Sequence, residues 1–372
     1  MLKTEIYRIF SRKTTWAAML AAILTVIYYS LGNTIWGEGV IDNGGIYRGK
    51  EAVLRDREIA AAFTGPLTEK TVRAIWEKYG PPVNYENRST TLEAMTAAGA
   101  GGGNDNYCNR FVTKWFCSTG QGKDGEKVYI LPEDLSGNRY LQGNYWFGYA
   151  GSGYWDRFLI AYVMVCMVII IALCPTFSED HAVHTADIIL SAEKGRIRVW
   201  GMRICTGAGF ATLLYWLACG MIFLEQLLVY GWESLKVSGT LVGFPTYFEE
   251  GFRPLGEVTV VLYLSGWLSV LILSILIQAV SAGCRKTFSS LMISLIVYGG
   301  PLALRVFLDM LPMGRVNVFL HYICYAMPFY FPGMFMEAPP DARVLLTGIA
   351  LTSAALGLGF GGRRHCRYQA GG

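Results

Sequence analysis

The sequence predicts an α-helical polytopic membrane protein with six transmembrane helices and both termini cytoplasmic. An extracytoplasmic insertion domain, mixed α/β or mainly α, is expected after the first helix. Three observations predict this. Hydrophobic residues make up 53% of the 372 and charged residues only 16%, against about 25% charged in ordinary soluble proteins. The charges are bunched, leaving six stretches that approach or exceed the ~20 apolar residues that cross a bilayer. The lysines and arginines of the short connections all fall on one side when six spans are drawn.

Taken in order, residues 1–35 hold a basic stub and the first span, about Thr15–Ile35. No A-x-A cleavage site follows the apolar run, so an uncleaved helix is expected rather than a signal peptide. The remaining spans are about Phe158–Cys174, Ile204–Tyr230, Thr259–Gly283, Phe288–Leu311 and Val344–Phe360, with "GGP" at Gly299–Pro301 expected to break the fifth. Orientation follows from Lys3, Arg8, Arg12 and Lys13 before the first span, and from Lys194, Arg196, Arg198 and Arg203 between the second and third. Arg285 and Lys286 between the fourth and fifth, and Arg363, Arg364 and Arg367 in the tail 363–372, repeat the pattern.

Residues 36–156 form the insertion. Its clearest element is "LTEKTVRAIWEKYGPP": Thr68 is placed to cap a helix, Val72, Ile75, Trp76 and Tyr79 share one face, and Gly80-Pro81-Pro82 stops it. "AAGAGGGNDN", residues 97–106, reads as a loop. Cys108 and Cys117 are the two cysteines of this domain among nine in the chain, and they are either a disulfide or two unpaired thiols. Residues 157–362 carry spans two to six, with a polar connection at 175–203 and an aromatic outer segment at 312–343. That segment, with Phe319, Tyr322, Tyr325, Phe329, Tyr330, Phe331 and Phe335, is expected to lie in the interface or to re-enter the membrane.

Several chemistries are excluded. No G-x-x-x-x-G-K-[ST] loop is present, so the chain hydrolyses no nucleotide alone. "TGAGFAT" lies inside a span, where Gly207 and Gly209 are expected to let helices approach closely. His181 and His184 lack a third metal ligand. There is no basic stripe with interleaved aromatics, which argues against nucleic acid. Glu225 is expected near the headgroups, and Arg305 and Asp309, four apart, are expected to pair at the outer end of span five.

The segment "CPTFSEDHAVHTADIILSAEKGRIRVWGMR" is too polar to cross a bilayer. Ser178 to Asp180 supply a cap and acids at a helix start, and Ala182, Ala186, Ile189 and Leu190 recur at helical spacing. A short amphipathic helix with one charged face exposed is expected between spans two and three. The segment resembles the cytoplasmic loop of type-2 ABC exporter permeases in Phe177, Glu179-Asp180, Thr185, Ile188-Ile189-Leu190 and Lys194-Gly195-Arg196. It departs from that pattern at His184, where the family has glycine, and at "SAEKGR", which replaces a proline-containing turn. "FTGPLTEKTVRAIWEKYG" is similar to a phrase in the outer domains of such permeases from Gram-positive bacteria.

The resemblance implies a permease subunit in a bacterial plasma membrane, not itself an enzyme. It would bind no cofactor of its own, and ATP and Mg would lie on a separate ABC ATP-binding subunit. It would pair with a second permease subunit, identical or not. Phe177, Ser178, Glu179, Asp180, Thr185, Ile189, Lys194, Gly195 and Arg196 would form the helix that engages the ATPase. The alternative is a non-transporting sensor or immunity protein whose outer domain binds a peptide.

Overall fold

The computed structural model describes residues 2–31, 39–42, 45–81, 107–121, 127–147, 153–182, 195–244, 252–312 and 314–367. In chain order the elements are α1 (Leu2–Phe10), α2 (Lys13–Leu31), β1 (Gly39–Asp42), β2 (Gly45–Arg48), α3 (Lys50–Ala61), β3 (Gly65–Pro66), α4 (Glu69–Tyr79) and α5 (Tyr107–Trp115). These are followed by β4 (Ser118–Gln121), β5 (Lys127–Ile130), β6 (Asn144–Tyr145), α6 (Tyr154–Leu173), α7 (Pro175–Ala182), α8 (Gly195–Tyr230) and α9 (Leu255–Gly283). The chain ends with α10 (Thr287–Asp309), α11 (Arg315–Cys324), α12 (Met334–Glu337) and α13 (Pro340–Arg367).

Among the described residues, five helices are long and apolar enough to cross a membrane: α6 with α7, then α8, α9, α10 and α13; α2 is apolar but shorter. This is the architecture of an α-helical membrane protein. The apolar runs set these helices, but the backbone ladder carries each beyond its run. Thus α6 starts at Tyr154 rather than Phe158, and α13 continues to Arg367. The expected break at Gly299–Pro301 does not occur. Pro301 lies inside the 23-residue α10, where losing one bond from its missing N–H is outweighed by the rest of the ladder.

The chain divides into two compact units. One comprises Met1–Val26, Phe158–Met221 and Val260–Gly372. Its outer segment is not a plain loop: α11, a 3-10 turn at Phe331–Gly333 and α12 pack Tyr325, Phe331, Met334 and Ala338 against Ile272 of α9 and Leu346, Ala350 and Ala354 of α13. The non-helical peptides of this segment are taken up by helix hydroxyls. Tyr162 and Ser269 lie 2.7 Å apart and both donate to the Pro328 carbonyl, Ser269 at 2.9 Å, while Ser265 donates to Pro332 at 3.3 Å. At a 1.5 Å rise these residues sit roughly 12 to 21 Å along α6 and α9. Buried irregular backbone is stable only when its polar groups are paired.

The other unit comprises Ile27–Arg157 and Ile222–Thr259, so it also takes in the segment after α8. Its described residues are mixed α/β, with three two-stranded antiparallel sheets, β1–β2, β3–β6 and β4–β5. The Thr68 cap forms as expected, its hydroxyl accepting from Thr71 N at 3.2 Å, and Gly80 ends α4 at φ 69°. Val72, Ile75 and Tyr79 are buried, and Phe111 of α5 stacks on Tyr145 of β6 at 5.2 Å. Residues 97–106 lie outside the described residues. Cys117 is a half-buried free thiol whose pKa burial pushes up to about 12; the Cys108 side chain lies outside the described residues.

Glu225 is buried beside Arg157. It is 8% exposed and accepts from Arg157 at 3.2 Å, while Gln226 accepts from the same guanidinium at 3.1 Å. The rings of Tyr154 and Tyr230 lie 5.9 Å from the Arg157 guanidinium. Charge, amide and ring partners together offset the cost of burying this pair.

Candidate functional site

The site is built around the junction of α6 and α7. Pro175 has no N–H for the Ile171 carbonyl, so the helix cannot run straight through Cys174, and the chain turns there. The carbonyls freed by the turn find side chains. Ile171 faces the Cys174 thiol at 3.7 Å, and Ala172 accepts from Arg12 at 3.0 Å. Cys174 accepts from three hydroxyls: Ser178 at 3.0 Å, Ser281 of α9 at 2.7 Å and Ser290 of α10 at 2.8 Å. Ser281 also accepts from the backbone N–H groups of Phe177 and Ser178, at 2.9 and 3.1 Å.

The expected Ser178 cap is therefore corrected. Pro175 occupies the first turn, which costs no helix bond there, and Ser178 lies inside α7 bonding back to Cys174.

The acids of α7 are held by three arginines from elsewhere in the chain. Asp180 accepts from Arg8 at 2.9 Å and from Arg203 of α8, and Glu179 accepts from Arg12. Arg8 and Arg203 also donate to the Thr176 carbonyl, at 3.4 and 3.0 Å, and Glu5 accepts from both arginines. Arg203 is 2% and Asp180 7% exposed. The expectation of an exposed acidic face thus fails for Asp180, because the two guanidiniums facing it supply the charge and donors that a buried carboxylate requires. Glu179 keeps 42% of its side chain exposed.

On the apolar side of α7, Phe177 is buried against Trp200 at 4.9 Å and His365 at 5.2 Å, with Arg203 over its ring at 5.1 Å. One helical turn of acids is thereby tied to α1, α8, α9, α10 and α13. Thr185, Ile189 and Lys194 lie outside the described residues; Gly195 and Arg196 begin α8, and their side chains are likewise outside.

Two further sequence expectations change. Gly207 does permit close approach, since a Cβ there would meet Gln278 Nε2 at 2.3 Å, but one at Gly209 would meet nothing within 4 Å. Arg305 and Asp309 do not pair. Arg305 donates to Glu337 at 3.2 Å and lies 4.9 and 4.7 Å from the rings of Tyr325 and Tyr330, while Asp309 meets His321 at 2.8 Å. A half-buried carboxylate with two rings outweighs an exposed i,i+4 pair, worth only about 0.3–0.5 kcal/mol.

Glu5, Arg8 and Arg12 recur at three- and four-residue spacing, a stripe readable in the sequence. Its pairing with residues some 170 positions away was not. Among the described residues, no group of three or more His, Cys, Asp or Glu side chains is placed to hold a metal. No protein-family model matches the chain, and no curated protein or solved structure matches it either.

Proposed function

We propose that the chain is the permease subunit of an ABC exporter in a bacterial plasma membrane, moving a peptide, drug or lipid-like substrate outward. In this reading it crosses the membrane six times with both ends cytoplasmic. The second unit is extracytoplasmic, and the segment at 312–343 re-enters from outside. ATP and Mg are held by a separate ATP-binding subunit, and a second permease subunit completes the pathway.

The observation that carries the reading is the clamped acidic helix α7. Residues 183–194, where a motor would engage, follow α7 directly. Arg8, Arg12 and Arg203 bind α7 to α1, the α1–α2 connection and α8, and Ser281 and Ser290 bind its start to α9 and α10. Such a joint passes a push on 183–194 to several spans at once. Energy enters as a difference in the ATPase pair's affinity for two arrangements of those spans.

The test is affinity purification of the tagged full chain from native membranes in mild detergent. A phosphate-loop ATPase should accompany it in near-stoichiometric amount. Thr185→Arg with Lys194→Glu should remove that companion, and Glu179→Gln, whose carboxylate is engaged internally, should retain it. A preparation with no ATPase, or a companion insensitive to the double substitution, overturns the proposal.

A further inference from the structure

A groove of about 480 Å³ runs between α1 and α8, with Leu2, Ile6 and Phe10 on one wall and Cys205, Gly209 and Leu213 on the other. It falls within the ~300–1,000 Å³ of small-ligand sites. Its lining is apolar in effect, because its one hydroxyl, on Thr206, donates back to the Met202 carbonyl at 2.8 Å. Leu2, Ile6 and Leu213 remain 54%, 42% and 57% exposed along it. The opposite face of α1 is spent on Arg203 and Asp180, which fixes the apolar face toward the groove.

The rim is basic. Lys3 and Arg198 are both exposed. Arg198 precedes Cys205 by seven residues, so it lies on the same face of α8 roughly 10 Å nearer the helix start. Apolar walls continuous with a membrane-crossing helix, under two exposed cations, match one chemistry: an acyl tail bearing an anionic headgroup.

We propose that this groove binds one acyl chain of an anionic glycerophospholipid, whose phosphate is held by Lys3 and Arg198. The proposal rests on the membrane-spanning character of α8 and not on the exporter reading.

The first measurement needs no variant. Cys205 lines the groove and is exposed. Its alkylation by N-ethylmaleimide, read by peptide mass spectrometry, is expected to slow several-fold when phosphatidylglycerol is added to phosphatidylcholine vesicles carrying the full chain. Equal rates overturn the proposal, as does equal protection by palmitate, which would show that the phosphate headgroup plays no part.

The second is native mass spectrometry of the chain titrated with lipid in detergent. One phosphatidylglycerol should be retained with about thirtyfold preference over phosphatidylcholine, the value for two surface cations. The double variant Lys3→Gln, Arg198→Gln should abolish the preference. Gly209→Phe, which fills the groove, should lose the lipid, while Gly209→Ala keeps it. If Gly209→Phe keeps the lipid and instead shifts a dimer to monomer, the groove is a self-association surface and the proposal fails. If that variant does not fold, the Cys205 rates decide.

Discussion

Asp180 concentrates more of the structure in one side chain than its neighbour Glu179 does. Its two oxygens accept from Arg8 and Arg203, and Arg203 is 2% exposed. Removing one partner of such a set leaves the other guanidiniums buried without compensation, a loss of about 3–5 kcal/mol for an isolated pair. Because Glu5 still faces Arg8 and Arg203, Asp180→Asn is expected at the low end, about 3 kcal/mol. Glu179→Gln is expected to cost under ~1 kcal/mol, since that carboxylate meets Arg12 at a site where 42% of its side chain stays exposed. Thermal unfolding of the purified chain in mild detergent checks the contrast. Equal destabilisation by both variants would mean that the Asp180 network does not form. The sequence placed both acids on one exposed face, because adjacent residues give no sign of which of them meets a distant arginine.

At the scale of elements, the turn at Cys174 shows what a hydroxyl does where a helix is interrupted. Ser281 accepts two backbone N–H groups and donates to the Cys174 carbonyl; Ser290 donates to the same carbonyl, which keeps other donors. Ser281→Ala leaves two buried N–H groups without acceptors, and each costs about 1–3 kcal/mol. Ser290→Ala should cost under ~1 kcal/mol, because no group is orphaned. Amide exchange at Phe177 and Ser178 should quicken in the first variant and stay unchanged in the second; no difference between the two would remove Ser281 from this role. The helices themselves were legible, since apolar runs report the solvent that a segment prefers. Their ends were not: the ladder of α6 extends through the charged Asp156 and Arg157, and α10 continues through Pro301. The aromatic outer segment was marked by composition, and the Thr68 cap by its local pattern. The anchoring of the Pro328 carbonyl was hidden, because it depends on Tyr162 and Ser269, which are remote in sequence.

At the scale of the whole molecule, the number of crossings turns on α2. Its 19 residues extend roughly 28 Å, close to the ~30 Å of hydrocarbon in a bilayer. Leu20, Leu24 and Tyr28 are 59%, 58% and 74% exposed, an apolar surface that lipid would cover. If α2 crosses, Lys3 and Lys13 share a side with Arg285, Lys286, Arg363 and Arg364, as the charge rule requires. If it does not, five crossings remain and the first basic cluster is left on the opposite side from the last. The two topologies separate at two positions flanking α2. In intact cells, an introduced Asn104→Cys should react with a membrane-impermeant maleimide, whereas Ser11→Cys should react only after permeabilisation. Arg364→Cys should behave as Ser11→Cys does. Labelling of positions 11 and 104 from the same side would show that α2 does not cross, and would reverse the placement of either α7 or the insertion on which the exporter reading depends.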